Sequence, residues 1–291
     1  MNGLPHAVSE SSVAPASTLG ASLACPLVAR EILVTRPIAQ ADALVREIRV
    51  AGGTAVCFPS LSIEAIVDTR AMDACLAQLT SYDLVVAASV NAAEHAHERS
   101  RALGLAGLQA VACAAAPGPA TAAALTALGV GRVVVPESRF DSEGLVAALD
   151  ACALAPARVL ILRGTDGHDG DPTGTGRAVV GDWLRARGAL VDSIACYARL
   201  PVKPDPDALA TLLAGRAPDA AIVTSAEGGA NFHAILGARG RIWIAGVPIF
   251  VPHARVAARM HDLGMSDIHV AAAGDSGIVA TLVDHFDVRR G

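Results

Sequence analysis

The stretch Asp83-Leu-Val-Val-Ala-Ala-Ser89 returns later in the chain as Asp219-Ala-Ala-Ile-Val-Thr-Ser225. Each copy predicts a short buried strand, because a continuous apolar run of this length is typical of parallel strands covered on both faces. Each copy ends on a serine, a residue that favours the capping position at the start of a helix. Strand, capping residue and helix in this order predict a parallel α/β fold.

Further motifs repeat in the same order on the C-terminal side of this pair. Leu128-Gly129, a strand and then Asp141-Ser-Glu-Gly-Leu145 are echoed by Leu263-Gly264, a strand and then Asp275-Ser-Gly-Ile278. The distance between copies far exceeds the ~20 to 50 residues of a solenoid repeat. We therefore interpret the chain as two copies of one α/β unit, which predicts two similar lobes that face each other.

Apolar runs of strand length alternate with helical segments along most of the chain. Gln40 to Ala51 and Pro119 to Leu128 are amphipathic or alanine-rich and predict helices. The predicted strands are Glu31 to Thr35, Thr54 to Phe58, Asp83 to Ala87, Gln109 to Cys113, Arg132 to Val135, Arg158 to Leu162, Leu190 to Cys196, Ala220 to Thr224, Arg241 to Ala245 and Ile268 to Ala271.

Length and composition favour a two-domain globular protein. The chain has 291 residues, of which 53% are hydrophobic and 18% charged. Its formal net charge of −5 disfavours a nucleic-acid partner, because such proteins generally carry a basic excess. An anionic small molecule needs only a locally positive cleft, so it stays possible. No apolar run reaches the ~18 residues of a membrane span, so none is expected.

The cysteines and the N-terminal stretch both favour a cytoplasmic protein. None of the six cysteines forms a Cys-x-x-Cys pair, so reduced thiols are expected rather than disulfides or a zinc site. Leu23-Ala-Cys25 is similar to a lipoprotein cleavage site, but no Lys or Arg precedes Arg30. Residues 1–29 are rich in Ala, Ser and Pro and lack periodicity, so we expect a disordered tail there.

Three local patterns are weak signals for cofactors or metals. Gly174-Thr-Gly176 lacks the third glycine of a dinucleotide loop, so NAD binding is not expected. His95 and His97 are two apart and lie on different faces of a predicted helix, which disfavours a metal pair. The acidic loop 166–171 fits a cation or, more simply, a solvated loop. We therefore expect neither a cofactor nor a metal.

Several loops fall at the predicted carboxyl ends of strands, where ligands bind in open α/β sheets. Helix N-termini there present free backbone N–H groups, which favour carboxylates and phosphates. If the two lobes face each other, these loops converge on one crevice. They are Thr35-Arg36, Ser89, Pro117-Gly118, Ser142, Arg163-Gly164, Thr224-Ser225 and His253.

Short motifs spread over the chain carry a resemblance to a known family. They are Leu33-Val-Thr-Arg-Pro37, Tyr82-Asp-Leu-Val-Val86 with Ser89, Gly118-Pro-Ala-Thr-Ala122, Asp141-Ser-Glu-Gly-Leu145, Arg158-Val-Leu-Ile-Leu-Arg-Gly164, Tyr197-Ala-Arg199, Asp219 through Thr224-Ser225 with Asn231, and His253-Ala-Arg255. In this order they resemble the uroporphyrinogen-III synthase family, from about Glu31 to Phe286. The chain departs from the family pattern at Ala88, where threonine is usual, at Pro117, where valine is usual, and in loop 164–176.

The resemblance implies an α/β fold with two facing parallel-sheet domains, one of them discontinuous, joined by a two-stranded crossover ladder. Residues 30–59 would join 200–287 in the first domain, and residues 64–195 would form the second. The hinges would be 60–63 and 196–199. Pro201, Pro204 and Pro206 after the second hinge fit a chain that leaves one domain for another.

The resemblance also implies a reaction, the conversion of hydroxymethylbilane to uroporphyrinogen III without a cofactor. Loss of the terminal hydroxyl would give an azafulvene, and a spiro intermediate would then reclose with the last pyrrole ring inverted. Tyr197 is the expected general acid, because it matches the family's tyrosine at the predicted crossing. The alternative is a tyrosine that only packs the hinge.

The remaining site residues are also implied by the resemblance, as ligands of the substrate carboxylates. For each serine or threonine the alternative is a helix cap without a ligand, and for each arginine a solvated surface charge. His253 fits a loop histidine better than a proton shuttle. The expected substrate-binding residues are Thr35, Arg36, Ser89, Gly118, Thr121, Ser142, Glu143, Gly144, Arg163, Thr224, Ser225, His253 and Arg255.

A second function class stays open from the residues alone, a non-enzymatic two-lobed small-molecule binding or sensor protein. Such proteins usually carry a secretion signal or a helix-turn-helix segment, and neither is visible in this sequence. No long apolar face or coiled coil is evident either, so a monomer is expected.

Overall fold

The structure is a computed structural model that describes residues 25–152, 155–272 and 274–288. These residues form strands at β1 (Glu31–Val34), β2 (Thr54–Cys57), β3 (Leu61–Ala65), β4 (Leu84–Ala87), β5 (Ala114–Ala115), β6 (Val133–Val134), β7 (Arg158–Asp166), β8 (Leu190–Pro201), β9 (Ala220–Ile222), β10 (Ile249–Val251) and β11 (Ile268–Val270). The helices are α1 (Asp42–Val50), α2 (Arg70–Leu76), α3 (Val90–Ala102), α4 (Pro119–Ala127), α5 (Ser142–Ala151), α6 (Val179–Ala186), α7 (Pro206–Ala214), α8 (Ala226–Trp243), α9 (Ala254–Asp262) and α10 (Gly274–Val288).

The strands form two sheets. The first sheet has the order β11-β10-β9-β1-β2, and all its pairings are parallel. The second sheet has the order β3-β8-β7-β4-β5-β6 and is parallel except for β3, which runs antiparallel to β8. The predicted fold class, parallel α/β sheets with a two-stranded crossover ladder, is confirmed.

The ladder between β3 and β8 lies where the chain passes from one sheet to the other. It pairs Leu61 with Pro201 at one end and Ala65 with Tyr197 at the other. The chain enters it from β2 of the first sheet and leaves it toward α7, where Asp205 caps the helix and Pro206 occupies its first turn. We retain the domain division 30–59 plus 200–287 and 64–195 as a proposal, because it places each sheet in one domain.

Both faces of each sheet are covered, which explains why the strands are apolar throughout rather than alternating. In β1, Ile32 and Val34 pack in one buried cluster with α1 and α10, while Leu33 packs in another with α8 and α9. The second sheet has one cluster with α2, α3 and α4 and another with α5 and α6. Burying one such side chain stabilises a fold by about 1.5–3 kcal/mol.

Two strand predictions are wrong. Arg241 to Ala245 is the end of α8 and the following turn, with Ile242 79% exposed, and the strand of this region is β10, which was missed. Gln109 to Cys113 contains a 3-10 turn at Leu108–Ala110, and the strand comes after it. Both segments are short apolar runs, which periodicity alone cannot assign to a helix or a strand.

The predicted tail is only partly described, since residues 1–24 lie outside the described residues. Residues 25–29, predicted as disordered, form a hydrogen-bonded turn in which Leu27 is fully buried. The Leu27 N–H donates to the Ala51 carbonyl at 2.9 Å, so this turn is attached to the end of α1. Within the described ranges, no helix combines the length and apolar character needed to cross a membrane.

Candidate active site

Tyr197 stands in the ladder, on the strand that both β3 and β7 pair with. Its side chain is buried, and its phenol oxygen lies 3.2 Å from the hydroxyl of Ser89. Ser89 follows the end of strand β4 and caps α3 by accepting a hydrogen bond from the Ala92 N–H at 3.2 Å. The strand end and the crossing strand therefore bring together two residues that lie far apart in sequence.

Two neighbours fix the plane of the Tyr197 ring. Tyr197 pairs with Gly164 directly after a β-bulge in β8, where Cys196 is the extra residue, and a Cβ at Gly164 would lie 2.4 Å from the ring carbon Cζ. Only glycine leaves room for the ring at this position. His95 of α3 stacks on the ring, with the centroids 5.7 Å apart. The phenol is thus presented with a defined orientation.

Arg199 adds a positive charge to this cluster and was not among the expected site residues. Its Nη1 lies 3.4 Å from the Tyr197 oxygen, and its Nη2 donates to the Thr175 hydroxyl at 2.6 Å. Asp166 accepts from its Nε at 3.0 Å. The sequence could have indicated Arg199, because it lies two positions after Tyr197 and residues two apart on a strand project from the same face.

Glu227 reaches this cluster from the other sheet and was also missed. It lies in the first turn of α8, and its Oε2 is 3.0 Å from the Arg199 Nε. Burial raises the pKa of Glu227, although the neighbouring Arg199 acts in the opposite direction. The signal was its place two residues after Ser225, the capping serine of the second copy of the repeat.

A hydrogen bond between Gln40 and Asn91 also joins elements that belong to the two different sheets. The Gln40 side-chain amide, in the turn after β1, donates to the Asn91 Oδ1 at 2.7 Å. Asn91 lies in the first turn of α3. The carboxyl ends of β1 and β4 therefore approach each other within the length of two side chains.

Thr35 and Arg36, both expected substrate ligands, already have protein partners. The buried Thr35 hydroxyl donates to the Ile222 carbonyl at 3.0 Å, and the Thr35 carbonyl accepts from the Ser60 hydroxyl at 3.2 Å. The Arg36 guanidinium is 2.9 Å from the carboxylate of Asp275. These contacts hold β1, β9 and the ladder entrance together.

The expected residues of the second copy lie at helix starts of the first sheet. Ser225 is exposed and caps α8 by accepting from the Gly228 N–H at 3.0 Å, and Thr224 before it is half-buried. His253 caps α9, because its Nδ1 accepts from the Arg255 N–H at 3.2 Å. Burial, with help from the Arg255 charge, lowers the pKa of His253.

Gly118 and Thr121 lie at the start of α4, which follows the strand next to β4. Gly118 is the capping residue and Pro119 occupies the first helical position, where its missing N–H costs nothing. Thr121 is buried in the first turns of this helix.

A cavity of about 200 Å³ lies toward α5 and α6 of the second sheet and adjoins the Tyr197 cluster, because Ala88 before Ser89 and Thr175, which binds Arg199, both line it. Ser142, Arg163 and Arg177 line it. The prediction that Arg163-Gly164 follows a strand end is wrong, because β7 continues past a bulge there to Asp166. Burial lowers the pKa of Arg163, and its Nη2 donates to the Arg177 carbonyl at 3.0 Å.

Glu143 and Gly144, expected as substrate ligands, have structural contacts beside this cavity. Glu143 forms a close ion pair with Arg177, which holds the pKa of its carboxyl below the usual range. A Cβ at Gly144 would lie 1.8 Å from the Arg139 carbonyl oxygen, so the close approach requires glycine. The Gly144 N–H is satisfied by Asp141, which caps α5 at 2.9 Å.

The structure thus brings Ser89 and Tyr197 into direct contact and places the Thr224-Ser225 turn beside the same ladder. Ser142 and Arg163 line the adjoining cavity, Glu143 and Gly144 line another one, and His253 and Arg255 are hydrogen-bonded to each other at the start of α9. No cluster of three metal-ligating side chains occurs among the residues described.

Comparisons with known proteins agree with this architecture. A family model described as uroporphyrinogen-III synthase HemD matches residues 42–277. The chain is 31% identical over 246 residues to the uroporphyrinogen-III synthase of Salmonella typhimurium, with 84% of this chain and 96% of that protein covered. It is 30% identical over 250 residues to the uroporphyrinogen-III synthase of Escherichia coli, with the same shares covered.

Two solved structures share the fold. A mutant uroporphyrinogen III synthase from Thermus thermophilus superposes with a TM-score of 0.55 at 17% identity, covering 90% of this chain and 100% of that chain. The uroporphyrinogen-III synthetase of Helicobacter pylori superposes with a TM-score of 0.54 at 13% identity, covering 88% of this chain and 99% of that chain.

Proposed function

Because this chain belongs to the uroporphyrinogen-III synthase family of lyase-type cyclases, we propose that it converts hydroxymethylbilane to uroporphyrinogen III with loss of water. The observation that carries the proposal is the Tyr197 phenol, buried in the ladder between the sheets and 3.2 Å from Ser89. A proton donor at this place is reachable by a substrate that lies between the two sets of strand ends.

The first step would be departure of the terminal hydroxyl. A pyrrole nitrogen lone pair expels the hydroxyl group, and Tyr197 supplies the proton that turns it into water. The protonated azafulvene that remains becomes neutral by losing its N–H proton, which restores the tyrosine, so the net loss is one water. General-acid help of this kind contributes typically 10² to 10⁴-fold. The carbons and nitrogens undergo no net redox change, so the reaction as written consumes no oxidant or reductant.

The second step would be carbon–carbon bond formation at the substituted α-carbon of the last pyrrole. A spiro intermediate forms, fragments to a second azafulvene and recloses with that ring inverted. Uncatalysed closure gives the uninverted ring, so the protein has to hold the chain folded in the geometry of the less accessible attack. Such positioning is an orientation effect, worth ~7–11 kcal/mol at its best.

The substrate carboxylates would be held mainly by helix N-termini around the crevice. Those of α3 and α8 start at Ser89 and Ser225, next to the ladder. Each exposed anion at a helix start is stabilised by about 0.3–1 kcal/mol, so several are needed. The proposed ligand set keeps Thr35, Arg36, Ser89, Gly118, Thr121, Ser142, Glu143, Gly144, Arg163, Thr224, Ser225, His253 and Arg255.

The setting of the enzyme belongs to the same proposal. We propose a monomer that acts in the cytoplasm on a small molecule, without a nucleic-acid partner. The net charge of −5 supports the last point, because binding to a phosphate backbone needs a basic surface.

The test is incubation of the full chain with hydroxymethylbilane, followed by oxidation and separation of the porphyrin isomers. An excess of the type III isomer over a protein-free control is expected. Type I product alone, with retained binding of the tetrapyrrole, would support the alternative of a non-enzymatic two-lobed binding protein. Type I product without binding would contradict both functions.

A further inference from the structure

Arg199 is the side chain that links the Tyr197 phenol to the facing sheet. Both residues project from the same face of β8, and the Arg199 Nη1 lies 3.4 Å from the Tyr197 oxygen. The Arg199 side chain is only 20% exposed. A shielded guanidinium acts on its neighbours more strongly than a solvated one.

The guanidinium is held by three other groups. Its Nε is 3.0 Å from the carboxylates of both Asp166 and Glu227, and its Nη2 donates to Thr175 at 2.6 Å. Because the five donors of arginine form a rigid planar fork, fixing Nε and Nη2 also fixes the direction of Nη1. That direction is toward the phenol oxygen.

This contact decides what the phenol proton can do. Arginine has donors only, so the Tyr197 oxygen is the acceptor and its own O–H is left to donate elsewhere. The Ser89 hydroxyl lies 3.2 Å away on the other side, in a hydrogen bond in which either hydroxyl can donate. As the proton leaves, a positive charge close to the oxygen stabilises the phenolate that forms.

We infer that Arg199 is a positioning residue for proton donation by Tyr197, held in place by Glu227 of the facing sheet. The inference rests on the proposed function, because it assigns Arg199 a part in the same step. Glu227 is carried by α8 of the first sheet while Tyr197 and Arg199 belong to β8 of the second. The Tyr197 phenol is therefore oriented to donate its proton when the two sheets are close enough for Glu227 to reach Arg199, as they are in this structure.

The test compares Arg199→Gln and Arg199→Lys with the control Arg70→Gln. Arg70 also pairs with an aspartate, Asp68 at 2.6 Å, but is 90% exposed. Arg199→Gln is expected to lower kcat about tenfold with KM changed less than about twofold, as for loss of one charged hydrogen bond in the transition state. Arg199→Lys should recover part of kcat, and Arg70→Gln should match the wild type.

The same changes in a Tyr197→Phe background show whether Arg199 acts through the phenol. There Arg199→Gln should cause no further loss, because the oxygen it serves is gone. A raised KM with unchanged kcat would assign Arg199 to a substrate carboxylate and overturn the inference, as would equal losses in both backgrounds. If the activity of Tyr197→Phe falls to the spontaneous rate, the double variant gives no information. The changes in kcat and KM of Arg199→Gln with Tyr197 present then decide whether the inference holds.

Two outcomes separate this inference from the function itself. Absence of type III product from the wild type would contradict the proposed function, whereas wild-type product with a normal Arg199→Gln would contradict only the inference. If Arg199→Gln does not fold, as judged by circular dichroism, Glu227→Gln takes its place. It should lower kcat about threefold with Tyr197 present and have no effect in the Phe background.

Discussion

The two strand-to-helix turns at Ser89 and Ser225 share their backbone role and differ in their chemistry. Each serine caps a helix by accepting from the N–H three residues later, at 3.2 Å and 3.0 Å. In each helix the residue two positions after the serine contacts a residue that belongs to the other sheet. Asn91 accepts a hydrogen bond from Gln40, and Glu227 forms an ion pair with Arg199. Only the Ser89 hydroxyl, however, is in contact with Tyr197.

The difference shows how a duplicated unit becomes asymmetric. Capping depends on backbone geometry, which both copies keep because both need a helix at that place. The contact with Tyr197 depends on which strand lies beside the turn, and the ladder strand β8 belongs to the second sheet only. The same local motif therefore serves as a structural cap in one copy and as a neighbour of the proposed acid in the other.

The strongest way to break this asymmetry is to remove the phenol oxygen. Tyr197→Phe is expected to lower turnover by about 100-fold or more while the ring packing and the melting temperature stay close to wild type. The rate of type III product formation measures this. Tyr82→Phe is the matched control, because Tyr82 is also buried but donates to Asp192 at 2.7 Å, outside the site. Equal rates for wild type and Tyr197→Phe would refute the proposed acid.

A substitution on β7, the strand beside the phenol, tests whether activity depends on the room available for the Tyr197 ring. Gly164→Ala places a Cβ 2.4 Å from the Tyr197 ring, so the ring or the strand has to move. Overpacking of this kind costs about 1–3 kcal/mol of unfolding free energy, and turnover should fall as well because the phenol is displaced. Denaturant titration and the isomer assay read the two effects. Gly131→Ala, with no atom within 4 Å of the added Cβ, should change neither.

The two capping serines give the most direct comparison. Ser89→Ala and Ser225→Ala should each lower the free energy of unfolding by about 1 kcal/mol, the usual cost of a lost cap. Only Ser89→Ala should also lower kcat, by up to about tenfold, since it removes the neighbour of the phenol. Thermal melts and steady-state kinetics on both variants measure this. A matching loss of kcat in both would mean that the serines act on activity through helix stability alone.

The smallest expected effect concerns the charge of Glu227. Burial raises its pKa above the ordinary value of 4.5, so the folded state holds its proton to higher pH than the unfolded state. Stability from this group is present below pH 4.5 and is lost as pH rises through the folded-state value. Glu227→Gln should therefore flatten the pH dependence of the melting temperature above pH 4.5. A steeper dependence in the variant would show that the Arg199 ion pair outweighs the burial cost.

Most of the architecture was predictable because it depends on local patterns. Buried strands such as β4 and β9 are apolar runs of the right length, and serine caps mark the helices that follow them. The strand β10 was not recognised, since the nearby run Arg241 to Ala245 has the same apolar character as Ile249–Val251. Tertiary packing, not composition, decided which of the two entered the sheet.

The sequence by itself determined the duplicated strand-and-cap units, the parallel α/β class and the tyrosine at the crossing. Only the tertiary structure decided that Ser89, Arg199 and Glu227 converge on Tyr197 and that Ser142 and Arg163 line a cavity next to this cluster. The physical reason is range. Strand and cap preferences act over a few residues, whereas these contacts depend on the bulge between β7 and β8 and on how two sheets approach each other.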